Sequence, residues 1–77
     1  MNRRDARFTA GPYDGKFLVA EEDASGSIAA LVCDGRPGAL ETIADFWFAD
    51  LRELEIGVTE DGWNVEWLPS GSLGTPR

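Results

Sequence analysis

The side chains that could do chemistry are few in kind, because this chain of 77 residues has fourteen carboxylates, one cysteine and no histidine. Without histidine, the Ser-His-Asp and Cys-His nucleophile arrangements are absent, and zinc could bind only through carboxylates. Cys33 lies between Val32 and Asp34, where a packed small residue is more common than a nucleophile. No carboxylate spacing singles out an acid and base pair, so we predict that the protein is not an enzyme and has no metal site and no cofactor.

The carboxylates matter more as surface charge. Seven bases against fourteen acids give a net charge of −7 at pH 7. Such a surface repels nucleic acid and anionic lipid, and it attracts basic partners over a Debye length of about 10 Å. The same charge also keeps a small protein soluble, and composition does not choose between these roles. For the first role we predict a basic protein or protein complex as partner, with no direct binding of nucleic acid or membrane.

Length and cysteine content limit the organisation. A chain of this size forms one domain at most and buries about 60% of its unfolded surface. No internal disulfide can form, and no apolar run approaches the roughly eighteen residues of a membrane span, so we predict a cytoplasmic protein. We expect a basic flexible tail over residues 1–7, one α+β domain over residues 8–69 and a flexible Gly/Ser/Pro tail over residues 70–77.

The N-terminal half predicts a hairpin of residues 16–22 and 27–33, preceded by a short strand near residues 7–10. With a turn at residues 23–26, both faces are apolar. One face has Phe17, Val19, Ile28, Ala30 and Val32, and the other has Leu18, Ala20, Ala29 and Leu31. A helix can cover one face, and the second needs a wrapped tail, a curled sheet or a partner chain, which leaves a homodimer open. Residues 27–33 are alternatively a helix, because Ala and Leu favour that state.

One helix is predicted over residues 39–53, with Pro37 at its approach and Gly38 as its N-cap. At 100° per residue, an apolar arc would face the sheet. This arc contains Leu40, Ile43, Ala44, Trp47, Leu51 and Leu54.

The outer surface of that helix is the first candidate for partner binding. Glu41 and Asp45 would lie one turn apart, and Phe46 would lie beside Asp50 and Glu53. An exposed Phe among carboxylates could contribute much of the binding energy at an interface with a partner. Alternatively, a loop or tail of the same chain covers the Phe46 side chain.

A second hairpin is predicted around Asp61-Gly62 as a two-residue type I′ turn. Its polar face would add Glu55 and Glu66 to the partner-binding surface. Its apolar face would contain Ile56, Val58, Trp63, Val65 and Trp67. The tryptophans are therefore core residues or, alternatively, a binding face. Together these elements predict an α+β fold, a small antiparallel sheet of about five strands on one α-helix in the order β-β-β-α-β-β.

In length, acidity and lack of catalytic residues, the chain resembles the phage-encoded anti-CRISPR proteins, which block bacterial defence complexes by binding them, some as DNA mimics. This resemblance implies an acidic face that occupies a basic groove of a CRISPR effector complex in place of phosphates. The stretch FLVAEEDASGSIAALVCDGRPGALETIADF, residues 17–46, is also similar in its order of strand, turn, strand, loop and helix to the RNase-H-like domain of HicB-type antitoxins. The second resemblance implies a protein that neutralises a small toxin.

These observations predict a small acidic inhibitor that masks a nucleic-acid-binding surface of its partner. The alternatives are an antitoxin-like neutraliser and a structural or assembly component of a phage. The predicted partner-binding residues are Glu41, Asp45, Phe46, Asp50, Glu53, Glu55 and Glu66.

Overall fold

The computed structural model describes residues 3–60 and 62–74. Its elements, in chain order, are β1 (Arg3–Ala10), β2 (Phe17–Glu22), β3 (Ile28–Arg36), β4 (Ala39–Phe48), α1 (Leu51–Glu60) and β5 (Asn64–Leu68). The strands form one antiparallel sheet in the order β4-β3-β2-β1-β5. The predicted class, a small antiparallel sheet with one helix, is confirmed. The predicted order is wrong, because the fourth element is a strand and the helix follows it.

Each face of the sheet has its own apolar cluster. We call the face that packs on α1 the helix face; its buried residues are Ala6, Phe8, Leu18, Ala20, Ile28, Ala30, Val32, Leu54 and Trp63. The opposite face is covered by residues 69–74, which we call the C-terminal strap, and we call this face the strap face. Its buried residues are Val19, Cys33, Leu40 and Leu73. A wrapped tail therefore covers part of the second face, which is one of the three predicted arrangements.

The β2–β3 hairpin is confirmed, but its register differs from the predicted one. The Asp23 carboxylate accepts hydrogen bonds from the backbone N–H of Ser25 at 2.8 Å and of Ser27 at 3.1 Å, so the loop takes in residue 27. Glu22 consequently pairs with Ile28, one residue later than predicted. A shift of one residue in the pairing changes which side chains of β2 and β3 share a face, because side chains alternate along a strand. Residues 28–36 are a strand, so the helical alternative for residues 27–33 is wrong.

A tight turn explains why residues 39–48 form a strand and not the predicted helix. Pro37 and Gly38 connect β3 to β4, and Gly38 has a φ of +85°. A type II turn favours Pro at its second position and needs a positive φ at its third, which suits Gly. The two residues that we interpreted as a helix start therefore close a hairpin, and β4 pairs with β3 from Arg36↔Ala39 to Ile28↔Phe48.

The helix begins at a capping box that follows β4. Asp50 Oδ1 accepts a hydrogen bond from the N–H of Glu53 at 2.9 Å, and Glu53 Oε2 accepts one from the N–H of Ala49 at 2.9 Å. The first bond satisfies a donor that a helix N-terminus leaves free, and the second ties the residue before the cap to the first turn. On the inner side of α1, Leu54 is buried, and Val58 packs against the same cluster one turn later.

The helix α1 ends at Glu60, and Gly62, which the sequence analysis placed in a hairpin turn, belongs to its C-terminal cap. The N–H of Gly62 donates to the carbonyl of Thr59 at 3.4 Å, and the N–H of Trp63 donates to the carbonyl of Val58 at 3.0 Å. With a φ of +70° at Gly62, this is the Schellman pattern of a helix C-terminus. Residues 55–60, predicted as a strand, are thus helical. Asp61, the other residue of the predicted turn, lies outside the described residues.

The predicted tails contain ordered structure. Residues from Arg3 onward belong to β1, which lies between β2 and β5, and residues 70–74 pack on the strap face. The expectation of flexible tails is wrong for these parts, and residues 1, 2 and 75–77 lie outside the description. In the described part of the chain, no helix is long and apolar enough to cross a membrane.

A buried carboxylate holds the strap in place. Asp5 is fully buried and accepts hydrogen bonds from Arg3 Nε at 2.8 Å, from Arg3 Nη2 at 3.1 Å and from the N–H of Leu73 at 2.9 Å. Arg3 also donates to the carbonyl of Gly74. Burial acts to raise the pKa of Asp5, but the hydrogen bonds from Arg3 and Leu73 outweigh it and hold the pKa below its ordinary value. The basic N-terminal segment therefore binds the C-terminal strap to the sheet through Arg3 and Asp5.

Candidate functional site

The outer edge of β4 is the part of the sheet most open to another chain. β4 pairs with β3 on one side, and on its other side no described strand pairs with its backbone N–H and C=O groups. β5, the opposite edge strand, is only five residues long and is followed by Pro69. Short strands and proline protect sheet edges, whereas β4 has ten residues and no proline.

Three large apolar side chains of β4 are exposed. Ile43 is 47% exposed, Phe46 37% and Trp47 68%. Trp47 stands opposite Ala29 on the strap face, and both residues are exposed. Phe46 lies on the helix face, where its ring meets Trp63 edge-on at a centroid distance of 5.0 Å. The open edge therefore has an aromatic side chain on each of its faces.

A β-bulge interrupts the edge at Ile43. Val32 pairs with Ala44 and Cys33 pairs with Thr42, so Ile43 has no partner residue in β3. Bulges are common at sheet edges and at functional sites, where they redirect a side chain. The bulge also separates the two halves of β4, which each contribute one carboxylate.

Those two carboxylates, Glu41 and Asp45, are exposed, and within the described residues neither makes a hydrogen bond or an ion pair. Asp45 stands opposite Leu31 on the strap face, whereas Glu41 stands opposite Asp34 on the helix face. We predicted both on one outer face of a helix, which is wrong because their segment is a strand. They lie instead on the two sides of the open backbone edge.

Four of the seven predicted partner-binding residues are engaged within the chain. Asp50 and Glu53 cap α1. Glu55 forms an ion pair with Arg4 at 3.3 Å, and Glu66 forms one with Arg7 at 3.0 Å. Such exposed pairs contribute only about 0–1 kcal/mol to stability, yet each places a positive charge beside the acid. The structure brings Glu41, Asp45 and Phe46 together on β4 and assigns the other four to caps and ion pairs.

The sequence analysis missed Ile43 and Trp47 as surface residues. It placed both, with Leu51, in an apolar arc against the sheet, but all three are exposed, while Leu40 and Leu54 are buried as predicted. The Pro-Gly turn and the Ile, Thr and aromatic residues of this stretch were the available signals for a strand.

The remaining tryptophans, Trp63 just before β5 and Trp67 within it, both lie on the helix face and differ in burial. Trp63 is buried beside Phe8, with ring centroids 5.6 Å apart. Trp67 pairs with Ala6 on the same face but is 38% exposed, and the Arg4 guanidinium lies 4.3 Å from its ring centroid. Trp63 is therefore a core residue, and Trp67 is a surface residue covered by a cation.

Cys33 is buried under the strap together with Leu73. Burial raises the pKa of its thiol, which favours the neutral thiol over the nucleophilic thiolate at neutral pH. Its position agrees with the predicted packing role.

Comparisons of this chain with protein-family models, with curated proteins and with solved structures found no match. Geometry and charge alone therefore support the function proposed for this protein.

Proposed function

We propose that this protein is a non-catalytic inhibitor that binds a basic, nucleic-acid-binding partner through the outer edge of β4. The observation that carries the proposal is the pair of unengaged carboxylates, Glu41 and Asp45, on either side of an edge that also exposes Phe46 and Trp47. Desolvated aromatic anchors supply much of the affinity at protein interfaces, and flanking charges direct the encounter.

The charge of this edge favours a basic partner. No Lys or Arg occurs between Pro37 and Leu51, a stretch that includes Glu41, Asp45 and Asp50. Glu41 stands opposite Asp34, and Asp34 already has Lys16 at 3.6 Å as a counter-charge, whereas Glu41 has no ion pair within the described residues. A cationic partner surface would supply a counter-charge for Glu41. By contrast, the acids near β1 already have Arg3, Arg4 or Arg7 beside them.

A surface built to bind phosphates is a natural partner, because it presents bases that can meet carboxylates instead. A CRISPR effector complex, the partner implied by the resemblance to anti-CRISPR proteins, is one such surface. The resemblance to HicB-type antitoxins requires a helix at the end of residues 17–46, but these residues form the strand β4, so the fold does not support that alternative.

The test is capture from a bacterial lysate with the purified protein as bait. The binding variant is Glu41→Lys with Asp45→Lys. The matched control is Asp14→Lys with Glu60→Lys, which makes the same change in net charge at two exposed acids outside β4. We expect parent and control to retain the same nucleic-acid-binding protein, the β4 variant to lose it, and added duplex DNA to release it. A partner that the β4 variant retains, or that holds the protein and DNA together, would contradict the proposal.

A further inference from the structure

We propose that β4 accepts an extended basic segment of its partner as a sixth strand of the sheet, so that recognition uses the backbone of β4 as well as its side chains. This inference rests on the proposed function and specifies how that partner is bound. Strand addition to an open sheet edge is a general mode of peptide recognition, in which main-chain hydrogen bonds supply affinity and alternate side chains supply specificity.

The backbone of β4 suits this role. The strand is ten residues long, pairs with β3 throughout apart from the bulge, and has no described strand on its outer side. It is also fixed from behind, because the N–H of Gly38 at its start donates to the carbonyl of Leu73 in the strap at 3.1 Å. At its far end, Phe48 packs with the helix-face cluster. Because β4 is held at both ends, binding of a further strand would not have to order its backbone first.

The side chains define the sequence of the incoming segment. Phe46 and Trp47 are adjacent and lie on opposite faces, so a paired strand needs two consecutive apolar residues there. Asp45 follows on the strap face and Glu41 on the helix face, and each calls for a Lys or Arg opposite it. If the segment pairs antiparallel to β4, its sequence from the N-terminus is therefore two apolar residues, then a basic residue, and a second basic residue about four positions later.

A second copy of this chain fits the edge less well. β4 has no Lys or Arg, so pairing β4 with its own copy would bring Glu41 and Asp45 of both chains together without a counter-charge. Each chain also has a net charge of −7, which opposes association at low salt. Inward or flanking charges of this kind protect natural sheet edges from self-pairing while leaving them open to an oppositely charged strand.

The experiment uses the full chain and the synthetic peptide TVIKTVTKT, together with its reversed sequence for the parallel orientation. Two further forms have N-methyl groups on the odd or on the even residues. Because alternate N–H groups of a strand point to the same side, each form blocks one edge of the peptide. Affinity is measured by titration, and hydrogen exchange is followed at the amides of residues 39–48.

We expect the peptide to bind, alternate β4 amides to gain protection, and one N-methylated form to lose at least tenfold in affinity while the other does not. Glu41→Lys with Asp45→Lys should also lose at least tenfold, as should the milder Glu41→Gln with Asp45→Asn if the first variant folds poorly. Asp14→Lys with Glu60→Lys should bind like the parent.

Equal affinity of the two N-methylated forms would overturn strand addition while leaving the proposed function intact, provided that charge reversal still weakens capture of the partner. Protection confined to other strands would also overturn it. Protection of β4 in the concentrated protein without peptide would assign the edge to a second copy, and binding unaffected by charge reversal would overturn both the inference and the proposed function.

Discussion

Trp63 and Trp47 place the same side chain in opposite surroundings. Trp63 is buried and contacts the rings of Phe8, Tyr13 and Phe46, whereas Trp47 is 68% exposed at the sheet edge. A protein of this size has little apolar surface to spare, so an exposed tryptophan costs burial that the fold could otherwise use. Its exposure, next to that of Phe46 and Ile43, is one of the observations behind the proposed binding edge.

Replacement of each tryptophan separates the two roles. Trp63→Ala should lower the free energy of unfolding by about 3–5 kcal/mol, because it leaves a cavity in the helix-face cluster. Trp47→Ala should change it by less than about 1 kcal/mol, because its ring is mostly in solvent. Urea unfolding followed by circular dichroism measures both values. Similar losses for the two variants would show that Trp47 is also buried.

Asp5 makes stability depend on pH. Its folded-state pKa is lowered by the hydrogen bonds from Arg3 and Leu73, so its contribution is present at neutral pH and is lost as the pH falls through that pKa. Asp5→Asn should cost about 3 kcal/mol at pH 7, because the Arg3 guanidinium loses its carboxylate.

The cost of Asp5→Asn should shrink on acidification, since the wild-type carboxyl becomes protonated while every other carboxyl is common to both proteins. Urea unfolding at pH 7, 5 and 3 measures this difference. A cost that stays the same across the three pH values would contradict the assigned role of the Asp5 carboxylate.

At the scale of elements, the capping box gives Asp50 a structural role at the start of the helix. Asp50→Ala should destabilise the protein by about 1 kcal/mol, because the N–H of Glu53 loses its acceptor. Asp50→Asn is the matched control, since it keeps an N-cap oxygen while removing the charge. We expect Asn to preserve both stability and partner binding. Weaker partner binding by the Asn variant would return Asp50 to the binding surface.

The β2–β3 hairpin was predictable because its signals are local: two apolar runs flank a turn rich in Asp, Ser and Gly. Its register was not, because the Asp23 side chain bonds lengthen the loop by one residue. For residues 39–53, a helical period in the apolar residues outweighed two local signals in our interpretation. Those signals were Pro37-Gly38, which closes a turn, and the Asp50 and Glu53 spacing, which starts a helix.

The open edge was less accessible to sequence reasoning, because it depends on which strands become neighbours. Glu41 and Asp45 were predicted to project outward from a helix, and both are exposed on β4 instead. Trp47 was assigned to the core, since a tryptophan in an apolar pattern is usually buried. The strap could not be positioned either, because its anchor is a contact between Asp5 and Leu73, which are far apart in sequence.

Over the whole molecule, the charges are segregated. β1, an inner strand next to the β5 edge, has three arginines, and each lies beside a carboxylate. β4, at the other edge of the sheet, has two carboxylates and no base. The two sides of the sheet therefore present different charges to a partner. This asymmetry, more than the total of −7, supports a directional acidic binding surface.

The most direct test of the β4 site is the rate at which the captured partner associates with two variants of equal net charge. Glu41→Lys with Asp45→Lys should weaken binding at least tenfold, about 1.4 kcal/mol, mainly by slowing association, and the difference should diminish at high salt. Asp14→Lys with Glu60→Lys should stay within about twofold of the parent. Equal effects of the two variants would mean that the acidic surface acts only through its total charge, and the β4 edge would lose its role as the binding site.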